Sequence, residues 1–241
     1  MAITVTVNGQ AHAVDAPETA TLLDALRNHL GLMGTRYGCG LEQCGCCMVL
    51  VDGQPVHSCT REIGTLGGRM VTTVEGLGSV EKPHPLQQAF IDEQAGQCGY
   101  CLSGILISAK ALLDRNPKPS RADIVTALDK HLCRCGSHTR ILKAVERAAA
   151  MLANVKRAMA ITAALNRLTI NELDEIRALF SQLIGKKVDE SFLLIPPFST
   201  AGGDEIRIGR NVFVNQNCTF YDLGGLDIAD DVMIEIGRAH V

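Results

Sequence analysis

Eight of the ten cysteines in this chain of 241 residues fall into two compact sets. The spacing of the first set is C-x4-C-x2-C-x11-C, and that of the second is C-x2-C-x31-C-x-C. Thiolates at such spacings bind iron or zinc, and the first spacing is typical of plant-type 2Fe–2S sites. The pattern therefore favours electron transfer. The two sets are Cys39, Cys44, Cys47 and Cys59, and Cys98, Cys101, Cys133 and Cys135.

The first set suits a 2Fe–2S cluster, in which each iron takes two ligands from the protein. Four thiolates meet that need and neutralise the charge of the iron. Three of them lie on one glycine-rich loop, and glycine tolerates the positive φ angles that a wrapping loop requires. Gly38, Gly40 and Gly45 lie beside these ligands. We therefore expect their amides to hydrogen-bond to sulfur and tune the reduction potential.

Zinc is the main alternative metal. C-x2-C pairs occur in zinc ribbons, so a zinc-binding interaction module stays open as a second interpretation. The first set is unlike a ribbon, which has two paired knuckles, whereas the second set suits either metal. Disulfides are disfavoured, because cysteines at short regular spacings in cytosolic proteins are more often metal ligands. A Rieske centre is excluded because the chain has no C-x-H pair.

The remaining thiols and the imidazoles lack metal-binding spacing. Cys46 lies between Cys44 and Cys47, but the C-x2-C spacing selects its neighbours, and we expect Cys46 to be a small buried residue. Cys218 stands alone and is predicted to be a core thiol. The histidines are predicted to be surface or core residues rather than ligands, and they are His12, His29, His57, His84, His131, His138 and His240.

The composition and charge of the chain limit the classes of protein to which it can belong. Hydrophobic residues make up 46% of the chain, which is enough for folded cores. A net charge of −3 gives no reason to expect nucleic acid or an anionic membrane as a partner. Residues 1–10 lack the basic start and apolar core of a signal peptide. The apolar stretch 102–113 contains Lys110 and is too short to span a bilayer. We therefore expect a soluble, cytoplasmic protein.

Residues 1–77 carry the pattern of strands around one helix. The Asn8-Gly9 and Asp52-Gly53 pairs are strong hairpin turns between alternating apolar segments. Thr21 can cap the helix, and the second hairpin ends at Cys59. An α+β domain of ferredoxin type follows. The predicted strands are 3–7, 11–14, 48–51, 55–58 and 70–74, and the predicted helix is 22–30.

Residues 78–153 change to a helical pattern. Pro85 suits the first position of a helix, and Ser120 with Asp123 forms a capping box. Cysteines lie at the ends of the predicted helices, so a small four-helix bundle is predicted to hold the second set. The predicted helices are 86–94, 101–115, 120–131 and 139–152.

Residues 154–241 form a third predicted unit. An amphipathic helical pattern covers 157–184. Beyond Pro196-Pro197, aliphatic or aromatic residues recur in six-residue steps with one insertion of two residues, which is the signature of a hexapeptide β-helix. The repeating positions are Ile208, Val214, Phe220, Ile228 and Ile234.

Residues 1–153 resemble the small iron–sulfur subunit of the xanthine dehydrogenase/aldehyde oxidase family of molybdenum hydroxylases. The resemblance is carried by YGCGLEQCGCCMVLVDGQPVHSC at 37–59, VEGL at 74–77, QCGYC at 97–101 and LCRCG at 132–136. Within the family, residues 84–117 are most similar to the small subunit of nicotinate dehydrogenase. The family usually has alanine at Cys46, Thr-Pro at 102–103, and CRCTGY where CRCGSH stands at 133–138. These departures remove no ligand.

The resemblance implies one 2Fe–2S cluster in each of the first two domains and a molybdopterin cofactor on a separate large subunit. The large subunit would hydroxylate an N-heteroaromatic substrate such as nicotinate. Electrons would pass through the second cysteine set, then the first, to an external acceptor, which is a cytochrome, a flavin subunit or a quinone. Gln97 and Cys135 match positions that face the pterin in the family, so they are the expected entry point. No catalytic residue is expected on this chain.

Residues 157–234 resemble an unrelated family, the maltose/galactoside O-acetyltransferases. The resemblance is carried by the sequences at 176–198 and 206–234. Members fold as left-handed β-helices and work as trimers. Their catalytic histidine lies in later coils, and His240 does not match its motif. An O-acetyltransferase fragment is therefore the alternative function, and we expect this segment to be catalytically inactive and marginally folded.

The final residues, IGRAHV, match the translation of a widely used sequencing-library adapter. We hypothesise that an iron–sulfur subunit has been joined near Asn154 to a truncated acetyltransferase. Sequencing one continuous DNA molecule across codons 150–160 tests this, and an intact junction would refute it. The predicted fold class is α+β, with a ferredoxin-like β-grasp domain at 1–77, a four-helix 2Fe–2S bundle at 78–153, and a helical segment with a truncated left-handed β-helix at 154–241.

Overall fold

The computed structural model describes residues 2–222 and 224–235 and forms two compact units, Met1–Ala150 and Met151–Val241. The division falls inside one helix, His138–Leu165. The sequence predicted separate helices here, one ending at residue 152 and another starting at 157. They are continuous because helix-favouring residues run through the predicted gap without a glycine or proline. His240 and the IGRAHV sequence lie outside the described residues.

A five-stranded mixed sheet forms the first part of the first unit, in the order β2-β1-β5-β3-β4. The β1–β2 and β3–β4 hairpins turn at the predicted Asn8-Gly9 and Asp52-Gly53 pairs, where both non-glycine residues have positive φ. β5 pairs parallel to β1 and antiparallel to β3 and so joins the two hairpins. The strands are β1 (Ile3–Val7), β2 (Gln10–Val14), β3 (Met48–Val51), β4 (Gln54–His57) and β5 (Met70–Thr72).

One short helix covers the sheet. Helix α1 (Leu22–Asp24) is capped by the Thr21 hydroxyl, which accepts a hydrogen bond from the Asp24 amide, and it continues into a π-helical turn (Ala25–His29). Its apolar face is buried against the alternating valines of the strands, as the pattern predicted. Short 3-10 turns at Ile63–Leu66 and Val74–Gly76 complete this part of the unit.

Four helices follow, and α3 packs against α2 and α4. Ile107 and Ala111 of α3 pack on Met48 and Leu50, so α3 contacts the sheet as well as the neighbouring helices. The Ser120/Asp123 capping box is present as predicted. The helices are α2 (Pro85–Asp92), α3 (Leu102–Arg115), α4 (Arg121–Leu128) and α5 (His138–Leu165).

Helix α5 is also the one helix among the described residues that is long and apolar enough to cross a membrane. A third of its most apolar window is buried in the protein. A single helix of this kind is weak support for a membrane span, because helices of soluble proteins meet the same criterion.

The second unit packs α6 (Leu173–Ile184), preceded by a 3-10 turn (Ile170–Glu172), with three ladders of parallel strands. Partners in each ladder lie 20 residues apart, which matches three six-residue steps and one two-residue insertion. Four phenylalanine rings contact one another in its core, in tilted and edge-to-face arrangements. The strands are β6 (Leu193–Leu194), β7 (Phe198–Thr200), β8 (Ile206–Ile208), β9 (Phe213–Val214), β10 (Cys218–Phe220), β11 (Leu226–Ile228) and β12 (Met233–Ile234).

Arg157 connects several segments of the second unit by hydrogen bonds. Its guanidinium donates to the carbonyl oxygens of Leu183, at the end of α6, and of Gly202, at distances of 3.0 Å each. It also donates to the side chain of Asn154, which in turn hydrogen-bonds to Asp204. Asn154 and Arg157 therefore belong structurally to the second unit.

Asp222 makes the second unit sensitive to acid. This buried carboxylate accepts hydrogen bonds from the Thr200 hydroxyl and the amides of Gly202 and Gly203, at 2.8, 3.0 and 2.6 Å. Burial alone would raise its pKa, but the hydrogen bonds from Gly202, Thr200 and Gly203 outweigh burial and lower it. The folded state therefore binds this proton less readily than the unfolded chain does. Its stabilising contribution is complete above the ordinary Asp range near pH ~4 and is lost as the pH falls through the lowered value.

We expect Asp222→Asn to destabilise the second unit at pH 7 by about 2–3 kcal/mol, because an amide nitrogen then faces backbone donors. Hydrogen exchange of β7 and β10 is measured from pH 7 down to pH 3 and corrected for the intrinsic exchange rate at each pH. Protection should fall with pH in the wild type and change less in the variant. Asp227→Asn is the matched control. It removes an exposed partner of Arg207 and should cost about 0–1 kcal/mol. Equal effects of both variants would contradict the assignment.

Candidate functional site

The glycine-rich loop between α1 and β3 brings Cys39 and Cys44 together. The Cys39 amide donates to Sγ of Cys44, and the amides of Leu41 and Gln43 donate to Sγ of Cys39, each at 3.3 Å. The hydrogen bond from Leu41, and next that from Gln43, outweigh burial and lower the pKa of Cys39 to about 7. The loop therefore favours the thiolate, which is the form that binds metal.

These donors differ from the glycine amides that the sequence predicted. Two of the three follow a glycine directly, after Gly38 and Gly40, so the glycines bend the loop and the next amide meets sulfur. Gly38 also leaves the space that the thiol occupies, because a Cβ at this position would lie 2.5 Å from Sγ of Cys44.

Cys47 and Cys59 form the other pair of the first set. Ser58 holds them together, because its amide and hydroxyl both donate to the Cys47 carbonyl, at 3.2 and 2.7 Å. The two thiols are neighbours. Burial, which is the largest effect, and this contact raise the pKa of Cys47 to about 12. A positive metal centre would reverse that preference, since a coordinating thiol is deprotonated.

The second set also forms two pairs. The thiol of Cys98 contacts that of Cys135, and the thiol of Cys101, at the start of α3, contacts that of Cys133. All four line one narrow pocket together with Gln97. Cys98 and Gln97 are exposed, whereas Cys101 is buried. Burial raises the pKa of Cys101 to about 12, whereas a hydrogen bond from the Tyr100 amide is the main cause of a lowered pKa at Cys98.

Pairs of thiols fit a two-iron centre better than a zinc site. A structural zinc site needs four ligands around one ion. A 2Fe–2S cluster instead takes two cysteines on each iron. All ten thiols are free of disulfides, so all eight of these are available as ligands.

Unpartnered polar atoms surround these cysteines. In the part of the chain that the structure describes, five buried side-chain atoms have no hydrogen-bond partner, and each lies within four residues of one of the eight cysteines. Buried polar groups are normally paired, so each of these atoms can take a further hydrogen-bond partner, and of the five residues only Ser137 also lines the pocket of the second cysteine set. The five atoms are Thr35 Oγ1, His57 Nε2, Ser103 Oγ, His131 Nδ1 and Ser137 Oγ.

A backbone hydrogen bond runs between a cysteine of the first set and the neighbour of a cysteine in the second. The Leu132 amide donates to the Cys44 carbonyl at 3.2 Å, and Leu132 precedes Cys133 in the chain. Covalent bonds and this one hydrogen bond therefore connect a thiol of the first set with a thiol of the second. A cavity of about 710 Å³ borders thiols of both sets, including those of Cys39 and Cys98.

Two glycines allow the loops to approach so closely. A Cβ on Gly104 of α3 would lie 1.9 Å from the Gly45 carbonyl oxygen. Gly45 has a φ of +72°, and a Cβ there would lie 2.2 Å from Nδ1 of His131. His131 is buried, and its Nε2 lies 2.7 Å from the Ser108 hydroxyl of α3. The glycine-rich loop of the first cysteine set therefore packs closely against both helix α3 and the segment before Cys133.

The other cysteines occupy the positions that the sequence predicted for them. Cys46 is buried between the sets, and burial, followed by the charges of nearby thiols, raises its pKa to about 12. Cys218 lies in the core of the second unit. His131 is a buried packing residue in the described part of the chain.

Family models identify both metal-binding regions. A model described as a 2Fe–2S iron–sulfur cluster binding domain matches residues 5–70, and one described as a [2Fe–2S] binding domain matches residues 73–146. One of the subunits of nicotinate dehydrogenase from Pseudomonas putida is 54% identical over 147 residues, which are 61% of this chain and 94% of that protein. The chain belongs to the small iron–sulfur subunits of the molybdenum hydroxylases.

Other small subunits of the molybdenum hydroxylases match the same part of the chain. The alpha subunit of isoquinoline 1-oxidoreductase from Brevundimonas diminuta is 49% identical over 59% of this chain and 94% of its own length. The structure of quinoline 2-oxidoreductase from Pseudomonas putida 86 matches with a TM-score of 0.60 and 38% identity, over 62% of this chain and 94% of that chain.

Family membership settles the general role of this small subunit. It is an electron-transfer subunit of an oxidoreductase, it binds two 2Fe–2S clusters, and its partner is a large subunit that carries molybdopterin. The fold of its first unit is α+β with two 2Fe–2S-binding parts.

Three structural features of this small subunit were absent from the sequence analysis. They are the contact between Gly104 and Gly45, the hydrogen bond from Leu132 to Cys44, and the unpartnered hydroxyl of Ser137. Each depends on long-range packing. A glycine in the first turn of α3, in a sequence otherwise favourable for helix, is the one local signal that points to a close contact.

Proposed function

We propose that the eight cysteines ligate the two clusters in four pairs, one pair to each iron. The geometry that supports this assignment is the bond from the Cys39 amide to Sγ of Cys44, the Ser58 bond that holds Cys47 beside Cys59, and the one pocket lined by all four cysteines of the second set. Amide donors at the Cys39 pair would stabilise negative charge on the sulfurs there. The ligand pairs are Cys39 with Cys44, Cys47 with Cys59, Cys98 with Cys135, and Cys101 with Cys133.

The second cysteine set is proposed to face the molybdopterin subunit. Gln97 and Cys98 are exposed, and Cys135 is partly exposed, so a partner surface can reach this end of the unit. Gln97 and Cys135 line the same pocket, which supports them as pterin-facing residues. The first set then faces the acceptor, and the Cys44–Leu132–Cys133 connection lies between the two ends of the relay.

The substrate and acceptor are assigned by similarity. Identities of 54% to the nicotinate dehydrogenase relative and 49% to the isoquinoline 1-oxidoreductase relative support an N-heteroaromatic substrate for the holoenzyme. We propose a cytochrome, a flavin subunit or a quinone as acceptor, and a cytoplasmic location. Addition of each acceptor to the substrate-reduced holoenzyme, with reoxidation followed at the visible iron–sulfur bands, distinguishes the three.

We propose domain bounds of 1–77, 78–153 and 154–241, with a left-handed hexapeptide β-helix in the third. The 20-residue strand ladders and the bonds of Arg157 within the second unit support the last boundary. This third domain has no assigned part in electron transfer. Because residue 153 lies inside the continuous helix α5, the boundary is tested by hydrogen exchange, in which residues before and after it should lose protection in two separate unfolding steps.

Metal analysis tests the ligand proposal. The full chain, purified without oxygen, should contain about four irons and four acid-labile sulfides, because each 2Fe–2S cluster has two of each. Reduction with dithionite should produce two distinct 2Fe–2S signals in electron paramagnetic resonance. Colourless protein that contains zinc and no labile sulfide would refute the proposal and support the zinc-binding module instead.

A further inference from the structure

Ser137 places an unused hydroxyl beside the second cysteine set. It lies two residues after Cys135 and is only 5% exposed. Its Oγ has no hydrogen-bond partner among the described residues. Ser137 also lines the narrow pocket formed by all four cysteines of this set. A buried hydroxyl without a partner is unfavourable, so a ligand in that pocket would supply the missing acceptor.

The hydroxyl does not serve the helix that follows. Ser137 directly precedes α5, where a serine side chain ordinarily accepts a hydrogen bond from an amide of the first turn. Among the described residues the Ser137 hydroxyl makes no such bond. The amides of Arg140 and Ile141 donate to the Ser137 carbonyl oxygen, at 3.0 Å each, as the first bonds of the helix. The Ser137 amide hydrogen-bonds to Cys133, so the backbone of this residue already contacts the cysteine set.

We propose that the Ser137 hydroxyl donates a hydrogen bond to a sulfur of the second cluster and raises the reduction potential of that cluster. The proposal rests on the ligand assignment Cys98, Cys101, Cys133 and Cys135. Reduction adds negative charge to the sulfurs, so a donor aimed at them stabilises the reduced form more than the oxidised form. The hydroxyl therefore adjusts how readily this cluster takes an electron from the molybdopterin subunit.

Ser103 provides a matched comparison within the same unit. It lies two residues after Cys101, is 8% exposed, and its Oγ also lacks a partner among the described residues. Ser103 does not line the pocket of the four cysteines, whereas Ser137 does. If nearness in sequence were sufficient, both serines would affect the cluster. If the position in the pocket decides the effect, only Ser137 would.

The experiment is a redox titration of the full chain, with each cluster followed by its own paramagnetic resonance signal. Ser137→Ala and Ser137→Gly should both move the potential of the second cluster to more negative values and leave that of the first unchanged. Glycine is needed beside alanine because it is tolerated at the position before a helix, so a shift in both variants is not a capping effect. Ser137→Thr keeps the hydroxyl and should restore the wild-type potential, and Ser103→Ala should leave it unchanged.

Iron and sulfide contents separate the two hypotheses. If the wild type and Ser137→Thr hold two clusters but alanine and glycine leave both potentials unchanged, the role of Ser137 is refuted and the ligand assignment stands. If Ser103→Ala shifts the potential as much as Ser137→Ala, the specific hydrogen bond is refuted. If the wild type itself lacks four irons and four sulfides, the ligand assignment fails first.

Discussion

Cys101→Ser is expected to remove the second cluster and stop electron flow out of the molybdopterin subunit. Cys101 is buried at the start of α3 and pairs with Cys133, so serine would leave a poor oxygen ligand in a site enclosed by protein. Loss of groups that merely support metal ligands costs about 10–100-fold in affinity or activity. Loss of a ligand itself should therefore lower the rate of acceptor reduction by more than about 100-fold, and the iron content by about half.

The order of electron transfer can be determined by testing which cluster the substrate still reduces in each cysteine variant. In the assembled holoenzyme, substrate should leave the first cluster of Cys101→Ser oxidised, although dithionite still reduces it. Cys44→Ser should behave in the opposite way, because the second cluster stays reducible by substrate while transfer to the acceptor fails. Rapid freezing followed by paramagnetic resonance measures both states.

Cys46→Ala is the matched control for these cysteine variants. Cys46 is a buried thiol between the two sets, and it is outside the proposed ligand pairs. Alanine at this position should preserve four irons, both signals and the rate of acceptor reduction. If Cys46→Ala lost a cluster while Cys44→Ser kept both, the first set would be assigned wrongly. If Cys101→Ser reduced the acceptor at the wild-type rate, the relay itself would be wrong.

Gly104→Ala is expected to destabilise the first unit, although helix propensity predicts the opposite sign. Alanine is favoured over glycine inside a helix by about 1 kcal/mol. The new Cβ would, however, lie 1.9 Å from the Gly45 carbonyl oxygen and 3.3 Å from Cα of Cys46, and both of these are backbone atoms. Overpacking of this kind costs about 1–3 kcal/mol and sometimes more. The cost of overpacking should therefore exceed the gain in helix propensity, and the first cysteine loop should shift away from α3.

Thermal unfolding followed by circular dichroism and by loss of the visible iron–sulfur bands measures this effect. A net loss of 1 kcal/mol corresponds to about 2–4 °C for a chain of this size. Gly67→Ala is the control, since its φ is −53° and a Cβ there meets nothing within 4 Å. An increase in the unfolding temperature of Gly104→Ala, with both signals intact, would show that the contact between α3 and the loop is less tight than described.

Local sequence determined the strands and capped helices because their causes are local. The turns at Asn8-Gly9 and Asp52-Gly53 need residues that accept positive φ, and the Ser120 capping box needs two polar side chains three residues apart. Alternating valines predicted the buried face of the sheet. The gap expected between a helix ending at 152 and one starting at 157 was wrong, because the division of the chain into two units does not interrupt a locally favourable helix.

The sequence by itself predicted which cysteines are ligands, because ligand spacing is a property of the chain. It also predicted that Cys46 is a buried neighbour of ligands. It could not decide how the eight thiols pair, since Cys47 meets Cys59 and Cys98 meets Cys135 only after the loops have packed. The tertiary structure alone brings the Leu132 amide to the Cys44 carbonyl, because Gly104 and Gly45 allow two backbones to touch. The kind of site can therefore be predicted from residue types and their spacing, whereas the connection between the two centres depends on contacts between residues far apart in the chain.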